Sequence, residues 1–376
     1  LYGGFDPAVG DIAFEDRDWV LHETILSGDL NGDDGPDFAN NGENSYHVFY
    51  HPSGPDLGST AILDGFTISS GNANGAAPHN HGGGMHNFSS SPTLSNCTFT
   101  GNSAGFGGGL YNRYSSPALT NCTFADNSAA TTGGGIYNED SAPTLTNCTF
   151  EGNSAVDAGG MSNNSSSPVL TSCVFLGNSA DQGGGLHNYN SSPELADCTF
   201  AGNSADWGGG IYNYDGSSPT LTNCTFTGNS ATSGGAGIFN WLNASPTVTN
   251  CILWGDTVGE LPSEIVNHEE TSTPEVSYSD IQGGCESDPW NDCGEGNIDF
   301  DPLFVDAASG DIPLGPGSPC IDAGTTTAPE LPPSDFEGDP RILDGNGDTE
   351  PDADMGADEV WGPLPPVIFV DLEAPG

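Results

Sequence analysis

The sequence contains no lysine, and its three arginines stand against 52 acidic residues, for a formal net charge of −49. So few cations leave nothing to grip phosphates, which excludes nucleic acid and anionic membrane surfaces as partners. Long hydrophobic runs are missing too: none approaches the ~20 apolar residues of a membrane-spanning helix. Only 34% of residues are apolar and 15% charged, which disfavours a large helical core with a charged outer face. Glycine and proline are plentiful instead, at 55 and 28 residues. That falls just under the ~25–30% share that marks aperiodic disorder, so any order must come from a pattern. The sequence opens at Leu1 without a basic-then-apolar leader, and an export signal is expected to lie outside it or to have been removed.

The pattern is a repeat. Cys97, Cys122, Cys148, Cys173, Cys198, Cys224 and Cys251 recur at spacings of 25, 26, 25, 25, 26 and 27, a period that marks stacked supersecondary units. Each unit reads roughly N-x-x-S-S-P-T-L-T-N-C-T-F-x-G-N-S-A-x-x-G-G-G-I-Y. Proline and the glycine triplet divide it into segments too short for a helix and rich in Thr, Val, Ile, Phe and Tyr, so three short strands per turn are expected. Leu119, Cys122 and Phe124 are separated by three and then two residues, where a straight strand needs twos throughout. Asn121 is the extra residue, and asparagine tolerates the left-handed conformation that bends a strand. All three side chains then point inward, and coils stacked ~4.8 Å apart place like on like. The fold class is therefore all-β, a single-stranded parallel β-helix of about 25-residue coils.

Three asparagine columns accompany the apolar ones: Asn96 to Asn250 at the bend, Asn102 to Asn229 after the Phe, and Asn87 to Asn267 after the glycine-rich strand. Ser172 and Asp197 interrupt the first, and those coils are expected to be locally weaker. The chain divides into N-terminal coils with an acidic loop (1–75), regular repeats (76–284), C-terminal coils with an acidic cap (285–361) and a Pro-flanked tail strand or linker (362–376).

The signatures FADN (124–127) with GGGI (133–136) and FAGN (200–203) with GGGI (208–211) resemble the repeats of chlamydial polymorphic membrane proteins. The layout as a whole is similar to secreted bacterial β-helix proteins of the choice-of-anchor Q type, through LYGGF (1–5), TILSGDLNGDDG (24–35), NCILWG (250–255), GSPCIDAG (317–324) and DMGADE (354–359). This resemblance implies a right-handed, pectate-lyase-like β-helix, located outside the cell or at its surface, with no established activity. It also implies further coils upstream of LYGGF, so that the first coil here is open.

Two acidic loops carry the strongest ionic signal. Asp29, Asn31, Asp33 and Asp37 form one set; Asp344, Asn346, Asp348, Glu350, Asp352 and Asp354 form the other. Oxygen side chains at alternate positions suit a curled Ca²⁺ loop, and the D-x-N-x-D core resembles dockerin-like calcium loops. The competing reading is a solvated acidic turn. Gathered carboxylates without a cation repel one another, and only Arg17 and Arg341 lie nearby in sequence. Salt adaptation explains the overall acidity equally well.

The seven repeated cysteines read most simply as small buried apolar side chains. Cys285 and Cys293, eight apart in a polar loop, suit a disulfide. His79, His81 and His86 offer imidazoles to a transition metal, although His86 occupies a column held elsewhere by tyrosine, which favours a structural role. That column and one two residues on point away from the lumen and carry Tyr111, Tyr137, Tyr189, Tyr212, Tyr214, Phe239 and Trp241. They read as cross-rung stacking, a subunit contact or a sugar platform. A lyase needs a base beside bound cations, and a β-helix glycosidase needs facing aspartates. Arg113 alone lies on the repeat face, and the acidic pairs are confined to the loops. The sequence therefore points to a non-enzymatic, Ca²⁺-stabilised surface rod that self-associates head-to-tail or by strand exchange, with polysaccharide binding or cleavage as the alternative.

Overall fold

A computed structural model of the chain describes residues 1–6, 14–54, 57–305, 312–335, 338–345 and 351–360. The short segments do form three strands per turn, and successive turns pair in parallel into three long sheets. The leucine sheet has ten strands, among them Ile62–Asp64, Thr93–Ser95 and Glu275–Ser277; the phenylalanine sheet also has ten, from Ile25–Ser27 to Asp280–Ile281; the asparagine sheet has nine, from Phe49–His51 to Ile265–Asn267. Register is like on like: Leu119 sits opposite Leu94 and Leu145, Phe124 opposite Phe99 and Phe150, and Asn112 opposite Asn87 and Asn138. Among the described residues no helix is long and apolar enough to cross a membrane.

The bend falls where the extra residue requires it. Asn96, Asn121, Asn147, Ser172, Asp197, Asn223 and Asn250 all have φ between 51 and 54°, the left-handed region that asparagine tolerates best. The turn lets Leu, Cys and Phe share one lumen, where the phenylalanines from Phe99 to Phe226 stack with ring centres 4.6–5.1 Å apart and planes within 7°. The seven repeated cysteines are buried and free. Each thiol donates to the carbonyl two residues back at 3.2–3.5 Å, which satisfies it without a bridge.

A fourth ribbon was not foreseen. Segments such as Ser103–Phe106, Ser128–Thr132, Ser204–Trp207 and Ser230–Gly234 fold back over the outer face of the asparagine sheet, joined from coil to coil by bridges such as Asp157 to Gln182. The glycine triplets permit that approach: a Cβ on Gly108 would lie 2.5 Å from two backbone oxygens of the next coil. The column of Tyr111, Tyr137, Tyr212 and Phe239 does face away from the lumen, yet all four are buried. Phe106 packs on Tyr137, and Trp207 on Phe239. These four form a second interior and not an exposed interaction face. Only Tyr189, Tyr214 and Trp241, in successive coils, keep an exposed or half-buried edge.

The C-terminal segments brace the flank of the stack. Asn223 donates to the Asp354 carbonyl (2.8 Å), Asn250 to the Thr325 carbonyl (3.0 Å), and Thr222 to the Pro329 carbonyl. Arg341, only 1% exposed, reaches back to Asp197 and also contacts Glu359 at 3.3 Å. Asp197, standing where the column otherwise has asparagine, receives an arginine that ties its coil to the brace.

Candidate cation site and groove

The loop leaving Ile25–Ser27 winds around Asp29. Its Oδ1 accepts from the N–H groups of Asn31 (3.2 Å) and Gly32 (2.7 Å), and its Oδ2 from that of Asp34 (3.2 Å). These backbone donors, Gly32 foremost, hold the half-buried Asp29 carboxyl below the ordinary aspartate range. Asn31 Oδ1 accepts from the Asp33 N–H at 3.1 Å, so it shapes the loop. The curl brings Asp29 and Asp33 together with Asp34 and Glu43, one carboxylate oxygen of each lying within 4.8 Å of the others. Asp37 stands apart, in the wall of the adjoining groove.

Asp34 and Glu43 went unread in the sequence. Asp34 breaks the alternate spacing, and Glu43 arrives from the far end of the loop with no motif to announce it. Asn44, which is buried, donates to Asp34 Oδ2 at 2.7 Å and to the Ser70 carbonyl at 2.8 Å, pinning the loop to the coil stack. Arg17 does not neutralise the cluster: it pairs with Asp64 at 3.1 Å and donates to the Gly3 carbonyl. The groove has a volume of about 510 Å³ and runs between this loop and the turns at Gly101, Asp126 and Gly152. Asp37 and Phe38 line it with φ of 55 and 59°, conformations rare for a bulky residue. Four hard carboxylate donors at this separation match the ligand class that Ca²⁺ takes.

The second acidic loop behaves differently. Asn346, Asp348 and Glu350 lie outside the described residues. Asp344 is half-buried, and Asp352 is exposed where it bridges to Leu343. Asp354 is fully buried, accepting from the N–H groups of Asp322 and Val360 at 2.7 Å each. It organises the brace from within, and burial pushes its pKa up to about 7. Around Arg341, burial likewise raises Asp197 to about 8, against the pull of the guanidinium, and Glu359 to about 9.

Cys285 and Cys293 form a disulfide with a Cα–Cα distance of 6.0 Å. Arg113 ion-pairs with Glu139 at 3.6 Å, and Tyr111 donates to the same carboxylate. The imidazoles of His79, His81 and His86 do gather, joined by His47 from 32 residues upstream, which the local HNHGGGMH run gave no means of finding.

Parallel coils of this period, with stacked interior columns, define a β-solenoid. The family model described as the right handed beta helix region matches residues 34–158 and 129–253, together more than half of the chain. The chain belongs to the right-handed β-helix family. No curated protein and no solved structure matches it.

Proposed function

We propose that this chain is a non-enzymatic rod that works outside the cell or at its surface, in the manner of the choice-of-anchor Q proteins it resembles, and that Ca²⁺ held by the N-terminal loop stiffens its rim. The observation that carries this reading is the convergence of Asp29, Asp33, Asp34 and Glu43 within 4.8 Å, beside a coil stack whose interior columns run on without interruption. A divalent cation there removes the mutual repulsion of four carboxylates and fastens the loop that Asn44 pins to the stack. Self-association through the tail at 362–376 belongs to the same proposal; that segment lies outside the described residues.

Melting curves test the cation. Ca²⁺ added to chelator-treated protein at about 100 times its dissociation constant stabilises the fold by about 2.7 kcal/mol. The melting temperature is expected to rise accordingly in the parent chain and to stay put in a D29N/D33N variant. A parent chain whose melting is indifferent to Ca²⁺ ends the proposal. Size-exclusion chromatography with and without residues 362–376 tests the tail.

The groove favours a second reading, polysaccharide binding. Its polar walls with Phe38 at one side, and the exposed edge of Tyr189, Tyr214 and Trp241, are surfaces on which sugar rings stack and hydrogen-bond.

A further inference from the structure

Imidazoles gather at one place in the described structure, the N-terminal end of the asparagine sheet, where His47, His79, His81 and His86 pack among Tyr46, Tyr50 and Tyr111. His47 Nδ1 lies 2.9 Å from the Gly82 carbonyl. A carbonyl only accepts, so Nδ1 carries the proton and Nε2 keeps its lone pair. That Nε2 lies 3.1 Å from His79 Nδ1. Two nitrogens bound at ~2.0–2.1 Å to one divalent cation, at angles between tetrahedral and square, lie about 2.9–3.4 Å apart. The carbonyl behind His47 is the outer partner that metal-ligating imidazoles characteristically keep.

A second, independent observation comes from His86. It is 3% exposed and stacks on both His47 (5.7 Å) and His81 (6.0 Å), yet its Nδ1 has no hydrogen-bond partner. An orphaned nitrogen inside a packed structure costs stability unless something occupies it. Stacking alone does not call for histidine here. The same column carries Tyr111, Tyr137, Ser162, His187 and Tyr212 in later coils, the His187 nitrogens also being unpartnered, and His81 takes the ribbon position that Phe106 holds in the next coil. His47 and His79 have no counterpart in the repeat.

We propose that His47 Nε2 and His79 Nδ1 are two ligands of a site for a d-block divalent cation of the Cu²⁺ or Zn²⁺ class, with His86 as the adjoining imidazole. The site is separate from the carboxylate loop in both position and chemistry: imidazole suits these borderline ions, whereas carboxylates suit Ca²⁺. On binding, the His79 proton moves from Nδ1 to Nε2, which frees the second lone pair.

Calorimetric titration of EDTA-treated protein with CuCl₂ or ZnCl₂ tests the site, with emission from Tyr46 and Tyr50 as a second readout. Saturable binding at one equivalent is expected. H47Q and H79Q should each weaken it by about tenfold or more, since loss of even an outer-shell partner costs 10–100-fold at metal sites. The D29N/D33N variant should bind as the parent does. His79 is half-buried outside any strand, so H79Q remains decisive if H47Q fails to fold. No saturable binding by the parent chain, an unchanged isotherm for H79Q, or binding lost only in D29N/D33N would each overturn the proposal.

Discussion

An asparagine side chain carries a donor at one atom and an acceptor at the other, so a column of them has a direction and needs different ends. Each buried asparagine from Asn102 to Asn203 donates Nδ2 to the Oδ1 of the next coil's asparagine and to a backbone carbonyl of the preceding coil, at 2.8–3.0 Å. The column ends on Asp256, whose Oδ1 accepts from both the N–H and the Nδ2 of Asn229 at 2.8 Å. An aspartate there needs no onward acceptor. Glu264 lies beside it, and burial and the adjoining Asp256 carboxylate push its pKa far up. Replacing Asn178 with alanine takes away the acceptor of both the Asn153 N–H and Nδ2 and the side-chain donor to the Phe150 carbonyl, while Asn203 Oδ1 keeps the backbone N–H of residue 178. At about 1–3 kcal/mol for an orphaned buried group, a loss of roughly 2–5 kcal/mol is expected in urea denaturation. Asn121→Ala at the exposed bend should cost only about 1 kcal/mol, through its left-handed backbone.

At the scale of elements, the strands, the bend and the like-on-like register were legible because they recur with the cysteine period. What repeats cannot report is a contact made once. Asp197 and Arg341 are 144 residues apart, and nothing local to either announces the other. Glu43 and His47 reached their clusters in the same unannounced way. The aromatic column points away from the lumen as its place in the repeat requires, but the serine- and alanine-rich ribbon that buries it carries no strand pattern of its own, since its strands are short and irregularly paired. Arg341→Met strands the Asp197 carboxylate in the interior or forces it to take a proton. A loss of about 3–5 kcal/mol is expected, most of it recovered in the Arg341→Met/Asp197→Asn double variant. Equal stability of parent and single variant would show that the brace does not bear on the coils.

For the whole molecule, net charge and buried carboxyls act in the same direction. Asp280, Asp354 and Glu359 are raised by burial to about 6, 7 and 9. A carboxyl whose folded pKa lies above its unfolded value near 4 binds more proton in the native state. Its contribution is complete below the unfolded value and is lost as pH rises through the folded one. Denaturation midpoints at fixed ionic strength should therefore fall from about pH 5 to about pH 9, and a midpoint that climbs over this range would contradict the burial of these groups. Self-repulsion of a chain with net charge −49 adds to the decline and is relieved by salt.

The account rests on coils that lie in register, with their like side chains enclosed, and thiol titration under native and denaturing conditions reads that enclosure directly. Eight of the ten cysteines are free and buried. They should be silent toward an aromatic disulfide reagent in the native protein, and all eight should react in guanidinium. Several thiols reacting at once in the folded chain would mean that the columns are not interior.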